Sequence, residues 1–174
     1  MKKLFSILAM VVLAGCATTP QPYDPIPANY AGPTAIIEDS FNGVTKSEVE
    51  FFFVQKLDGH DIKNARDTSR GDTYGNGFYM AVRPVERAVP ASKPVSLLIV
   101  ARTEYAAPIQ ILTNSVYQIK GTVDFTPEPN KRYVVRGSLS ENHSSVWLED
   151  EQTKQVIGNK IEFEGSTALG LFDK

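Results

Sequence analysis

Cysteine is almost absent from this chain of 174 residues, which contains only Cys16. A single thiol cannot form an intramolecular disulfide, so the fold cannot depend on crosslinks. Its stability must come from burying an apolar core. The length is sufficient for that, because domains near 150 residues bury roughly 70% of the surface that the unfolded chain exposes.

Histidine is also scarce, with only His60 and His143. Neither belongs to a GxSxG, HExxH or cysteine–histidine pattern, so the usual residues of acyl transfer and zinc hydrolysis are missing. His143 has four serines and one glutamate near it in the sequence, which could supply a nucleophile and an orienting carboxylate: Ser138, Ser140, Glu141, Ser144 and Ser145. The same residue types are typical of a polar turn, and we predict a turn and no catalytic residues.

No excess of positive charge is present, since 18 basic residues face 20 acidic ones. This balance excludes a general affinity for nucleic acid. Acidic and amide side chains do gather in one stretch, at Asp58, Asp61, Asn64, Asp67, Asp72 and Asn76. Oxygen ligands of this kind suit calcium, but the spacing is not that of an EF-hand and basic residues are interleaved. We predict a solvated loop here, with no metal and no cofactor.

Long apolar runs are missing except near the start, where residues 4–13 follow Lys2 and Lys3. Ten residues are about half of the roughly 20 that a helix needs to cross a bilayer. Small residues and Cys16 come next. A basic start, a short apolar run and a small-residue cleavage site are the layout of an export signal.

The segment Leu13-Ala14-Gly15-Cys16 resembles the lipobox of bacterial lipoproteins. The resemblance implies cleavage before Cys16 and lipidation of Cys16 by a thioether-linked diacylglycerol and an amide-linked acyl chain. Two or three chains anchor a protein far more stably than one. Ala17 and Thr18, with no aspartate after the cysteine, imply by the same resemblance the outer membrane, with the protein on its periplasmic face. Residues 125–137 also resemble hairpins of small bacterial lipoproteins.

Five prolines lie between residues 17 and 34, and they exclude a helix there. We predict three parts: a signal peptide at 1–15, a lipidated N-terminus with a proline-rich tether at 16–34, and a domain at 35–174. The tether either extends freely, or docks partly on the domain through Tyr23 and Tyr30, because aromatic side chains favour burial.

An alternation of apolar and polar residues with period two dominates from residue 35 onward and predicts strands. They are expected at 35–39, 49–57, 60–64, 78–82, 94–105, 115–125, 131–139, 144–150 and 156–164. Residues 49–57 and 94–105 are almost continuously apolar, as central strands would be. Residues 115–139 predict a hairpin, and Asp58-Gly59 a tight turn. No amphipathic helix is expected after the signal.

Many short strands and no repeat predict an all-β domain, an antiparallel β-sandwich, with a small β-barrel as the alternative. We expect a non-catalytic, lipid-anchored envelope protein that binds another protein or a wall component. The alternative is an enzyme or a sugar- or peptide-binding protein. The predicted partner-binding residues are Trp147, on the face opposite Val146 and Leu148, and Tyr105, at the end of a long strand.

Overall fold

The computed structural model describes residues 23–174, so the predicted signal peptide at 1–15 and Cys16 lie outside the described residues. The described chain forms a sandwich of two five-stranded sheets. Sheet A has the order β10-β9-β8-β1-β5, and sheet B has the order β2-β3-β6-β7 with β4 paired to β3. The antiparallel β-sandwich is therefore confirmed, although β1 and β8 pair in parallel.

Ten strands and two helices make up this architecture. Sheet A consists of β1 (Thr34–Glu38), β5 (Glu86–Pro90), β8 (Arg132–Ser138), β9 (His143–Asp150) and β10 (Val156–Glu164). Sheet B consists of β2 (Ser40–Asn42), β3 (Glu48–Leu57), β4 (His60–Asp61), β6 (Val95–Tyr105) and β7 (Gln118–Phe125). The helices are α1 (Ala65–Thr73) and α2 (Pro108–Thr113).

The main core lies between the two sheets. Alternate residues of sheet A, such as Val146 and Leu148, are fully buried against residues of sheet B such as Leu97 and Ile99. Each such side chain contributes about 1.5–3 kcal/mol through removal of apolar surface from water. Gly137 is needed at this interface, because a Cβ there would lie 2.6 Å from the ring of Phe52.

A second, smaller core covers the outer face of sheet B. Val49, Phe51 and Phe53 on β3 pack with Val100 on β6 and Ala65 on α1. Because β3 is covered on both faces, its apolar run is nearly continuous rather than alternating. The prediction that β3 and β6 are central strands is confirmed by their places in sheet B.

The predicted hairpin at 115–139 is wrong. β7 pairs with β6 in sheet B, whereas β8 pairs with β9 and β1 in sheet A. The link between them crosses from one sheet to the other, and it is held there because Ser92 N–H donates to the Pro127 carbonyl and Glu128 N–H to Tyr133 Oη. Period-two alternation identifies a strand but not the neighbour with which it pairs.

The prediction of a strand at 78–82 and the expectation of no helix are also wrong. The backbone N–H of Ala81 donates to Thr73 Oγ1, and that of Arg83 donates to Ser69 Oγ. Both acceptors belong to α1, so this segment is fixed to a helix instead of joining a sheet. The strand predicted at 60–64 is limited to β4, and the short strands β2 and β5 had no sequence prediction.

Candidate partner-binding surface

Helix α1 positions one side of the candidate site. Asn64 caps it, since its Oδ1 accepts from the N–H of Asp67 at 2.9 Å, as an N-cap amide does. The residues that α1 buries are small and spaced four apart: Ala65, Ser69 and Thr73. This spacing places them on one helix face, but only one of the three is apolar. Hydrophobic periodicity therefore gave no signal for the helix.

A buried ion pair fixes the start of α1. Asp39 is enclosed where the two sheets meet, and its Oδ2 lies 2.6 Å from Arg87 Nη2. The same carboxylate accepts from the N–H of Val54 at 3.0 Å and that of Ala65 at 2.8 Å. Burial raises the pKa of Asp39, while Arg87 and these N–H groups act in the opposite direction. Asp39 thus ties β5, β3 and α1 together.

Helix α2 forms the other side of the site. Pro108 occupies its first turn, where the missing N–H is not needed, and the N–H of Ala107 donates to Gln110 Oε1 at 3.2 Å. No residue of α2 is fully buried. The helix follows β6 directly. Its residues Pro108 and Ile111 face the same cleft as Arg70 of α1, so the two helices lie side by side at one end of the sandwich.

A cleft between the two helices, which we call the α1–α2 groove, has a volume of about 100 Å³. Its lining includes Arg70, Tyr74, Met80, Tyr105, Pro108 and Ile111. Tyr105 Oη donates to the Ser115 carbonyl at 3.0 Å. Burial raises the pKa of Tyr105 to about 12, and the charge of Glu48 adds to the effect. The phenol therefore stays neutral at physiological pH and offers an apolar ring to the groove.

Exposed apolar side chains lie at the same end of the sandwich as this groove. Tyr74 is 93% exposed, and Phe78 and Tyr79 follow it on the segment that meets Lys46 before β3. Others project from α2 and from the turn at 170–173, which lies near the end of α2. We call the whole set the distal surface: Tyr74, Phe78, Tyr79, Ile109, Leu112, Leu171 and Phe172. None of these seven residues is assigned to a binding site by the sequence. Phe78 and Tyr79 fall in the predicted strand at 78–82, and the others are scattered apolar residues of turns and of the short helix α2.

Trp147 lies elsewhere, on the outer face of sheet A. Val146 and Leu148 are fully buried in the core, so the ring of Trp147 points away from it, as its register requires. Lys160 Nζ lies 4.7 Å from the ring centroid, and the indole N–H donates to Glu149 Oε2 at 3.2 Å. Trp147 is therefore half-buried beneath its own charged neighbours. On the distal surface Lys46 Nζ lies 4.3 Å from the ring centroid of Tyr79, but Tyr74 and Phe172 are almost fully exposed.

The opposite end of the sandwich holds the start of the described chain. The ring of Tyr23 stacks on His60 with centroids 4.4 Å apart, and Tyr23 N–H donates to the Asp61 carbonyl. Tyr30 Oη donates to the Pro33 carbonyl at 2.7 Å. Of the two alternatives for the segment before the first strand, these contacts correspond to the one in which residues 23–33 are docked on the domain.

The acidic and amide residues between 58 and 76 have separate partners. Asp58 accepts from Ser96 N–H, Asp61 pairs with Lys56, and Asp72 pairs with Arg83. Within residues 23–174 no three histidine, cysteine, aspartate or glutamate side chains are placed to hold a metal ion.

The serines near His143 have other contacts too. Ser140 Oγ donates to the His143 carbonyl, and Ser144 Oγ bonds Thr167 Oγ1 at 2.7 Å. His143 Nε2 instead lies 3.6 Å from Glu162 and 3.8 Å from Glu164, both on the exposed side of β10. His60 is stacked on Tyr23 at the end near the tether. The geometry therefore does not bring either histidine together with a serine nucleophile.

Neither helix within residues 23–174 has the length and hydropathy to cross a bilayer. Comparisons of the chain with protein-family models, with curated proteins and with solved structures gave no match. Function must therefore be inferred from the geometry of this chain.

Proposed function

We propose that this protein is a lipid-anchored, non-catalytic binding module of the bacterial envelope, and that its distal surface binds another envelope protein. The observation that carries the proposal is the group of seven exposed apolar side chains at the same end of the sandwich as the α1–α2 groove. Exposed apolar groups that gather on one surface favour protein association, because their removal from water drives binding.

The position of the proposed anchor supports this assignment. β3 and β6 pair from Glu48 and Tyr105 at the distal end to Leu57 and Leu97 near Tyr23, a distance of about 30 Å at roughly 3.3 Å per residue. Cys16 precedes Tyr23 by seven residues, which span at most about 25 Å. A lipid on Cys16 would hold the Tyr23 end towards the membrane. The distal surface would then face away from that membrane, towards the periplasm if the outer membrane carries the anchor.

A second candidate function is binding of a small sugar or peptide. A shallow, widely open depression of about 410 Å³ lies between β7 and β10. Ile119 and Ile161 are part of its wall, and Lys120, Glu162 and Thr167 supply polar groups. Titration with envelope sugars and short peptides, followed by NMR shifts of these residues, tests this candidate. Saturable shifts confined to them would favour it over the distal surface.

The anchor is tested by Cys16→Ala in cells grown with radiolabelled palmitate. We expect the wild-type chain to carry the label and fractionate with the outer membrane, and the variant to lose the label and accumulate as precursor, because the thioether requires the sulfur. Cys16→Ala protein of mature size in the membrane fraction would contradict lipidation.

The binding surface is tested with a photo-crosslinking residue placed at Tyr74 or Leu112, both exposed, in intact cells. A matched control carries the same residue at Glu86, on the outer face of sheet A. We expect one discrete crosslinked envelope protein from the distal positions and none from the control. Equal crosslinking from all three positions would contradict a specific distal surface.

A further inference from the structure

Positive charge is concentrated beside the α1–α2 groove. Arg66 on α1 and Arg102 on β6 both contact the buried carboxylate of Glu104, with Arg102 Nε at 2.8 Å from Glu104 Oε1. Arg70 lies one helical turn after Arg66 and lines the groove itself. Two guanidinium groups thus contact one carboxylate, and the third lies nearby without contacting it. Arg66 also meets Asp67 on its exposed side, but Arg70 has no carboxylate within 4 Å among residues 23–174.

The electrostatic effect of this arrangement is visible at Arg102. Burial lowers the pKa of Arg102, and the positive charges of Arg66 and Arg70 act in the same direction, while Glu104 opposes them. Arg70 lines the groove, so it is the guanidinium of this group with which a partner's carboxylate can pair. Opposite charge across a protein interface favours the correct partner and the correct register.

The dimensions of the groove restrict what it holds. At about 100 Å³ it is well below the roughly 300–1,000 Å³ of pockets that enclose a small ligand. It has the size to receive one apolar side chain, with Tyr74, Tyr105 and Ile111 as contacts. Buried single anchors of this kind commonly dominate protein interfaces.

We propose that the α1–α2 groove recognises a segment of another protein in which an apolar side chain adjoins a carboxylate. The apolar side chain enters the groove, and the carboxylate pairs with Arg70. This inference rests on the proposed function, because it names the chemistry of the partner at the distal surface.

The test measures fluorescence anisotropy of labelled synthetic peptides with the full lipidated chain in nanodiscs, subtracting the signal of empty nanodiscs. The first peptide is Gly-Ser-Leu-Phe-Asp-Glu-Ser-Gly. The second has Asn-Gln in place of Asp-Glu, and the third has Ser-Ser in place of Leu-Phe. We expect the acidic apolar peptide to bind about two- to fivefold more tightly than the amide peptide, as one exposed ion pair allows, and the third peptide not to bind measurably.

Arg70→Gln is the decisive variant, and Arg136→Gln, an arginine on sheet A, is its matched control. Arg70→Gln should abolish the preference for the acidic peptide while retaining the weak binding that depends on Leu-Phe. The control should keep the preference. A melting curve unchanged from wild type checks that Arg70→Gln folds. Tyr74→Ala, which alters a 93% exposed side chain, should weaken both apolar peptides and leave folding intact.

Equal affinity for the acidic and amide peptides, or a preference that survives Arg70→Gln, would overturn the inference. The chain's own Leu171, Phe172 and Asp173 have the proposed composition, so sedimentation of the full chain is measured as well. A dimer that Arg70→Gln dissociates would assign the groove to a second copy and would also overturn it. If Tyr74 crosslinks a partner in cells but the acidic and amide peptides bind equally, the proposed function stands and only the charge preference is refuted.

Discussion

Two groups of ion pairs in this protein both join an arginine to carboxylates, but one group is exposed to water and the other is buried. On sheet A, Arg132 lies in the open between Glu86 at 2.7 Å and Glu38 at 3.1 Å. At the junction of the sheets, Asp39 and Arg87 are enclosed, with side chains 0% and 8% exposed. Water competes for the first group and reaches little of the second. The effect on stability of breaking an ion pair therefore depends more on its burial than on the distance between the charged atoms.

The largest effect is expected from Asp39→Asn. Removing this carboxylate leaves the Arg87 guanidinium buried without a counter-charge, so the free energy of unfolding should fall by about 3–5 kcal/mol. Denaturation by urea measures the loss. The neighbouring substitution Glu38→Gln, which alters a partner of Arg132 on the open face, is the control and should change it by less than about 1 kcal/mol. Similar small losses in both variants would show that burial does not distinguish the two groups.

An intermediate effect is expected from Trp147→Ala. The half-buried ring is held by Lys160 and by a hydrogen bond to Glu149, and losing these contacts with part of the buried area should lower stability by about 1–2 kcal/mol. Thermal and urea unfolding test this value. A loss above about 3 kcal/mol would place the ring in the core. In-cell crosslinks from Tyr74 should be unchanged in this variant, and their loss would restore Trp147 as a binding residue.

A small effect is expected from Arg132→Gln. Hydrogen bonds to Glu86, Glu151 and Glu38 raise the pKa of Arg132, so it is charged under all practical conditions. Exposed ion pairs contribute little each, and the expected loss is about 1 kcal/mol or less, shrinking as salt screens the charges. Unfolding at low and high salt checks this. A large loss that salt does not alter would mean that the network is not solvent-screened.

The last effect is a pH dependence at Asp150. Hydrogen bonds from Thr153, with Lys131 adding to them, lower the pKa of Asp150 from 3.8 to about 2. A carboxyl with a lowered folded-state pKa adds stability above its unfolded pKa and loses it as the pH falls through the folded value. Unfolding measured between pH 4 and pH 2 should therefore show a loss that Asp150→Asn reduces. An identical slope in both proteins would contradict this contribution.

Which predictions were correct depends on how far apart in the sequence the interacting residues lie. Residues 49–57 and 94–105 gave clear strands because their apolar runs reflect burial along the strand itself. Helix α1 gave no signal, because its buried residues are small and its position depends on Asp39, 26 residues before Ala65. Of the two predicted partner-binding residues, Tyr105 lines the α1–α2 groove and Trp147 is held under Lys160. Arg70, Tyr74 and Leu112 were not predicted, since only folding brings them near Tyr105.

The sequence by itself determined the all-β class and the absence of an intramolecular disulfide, and it contains the segment around Cys16 that resembles a lipobox. These depend on adjacent residues, on composition and on local alternation, all of which can be read without contacts. Only the tertiary structure decided how the strands divide into two sheets, why β7 and β8 separate, and which apolar side chains stay exposed. Those outcomes depend on contacts between residues far apart in the chain, such as Asp39 with Arg87 and Arg66 with Glu104, and no local pattern encodes them.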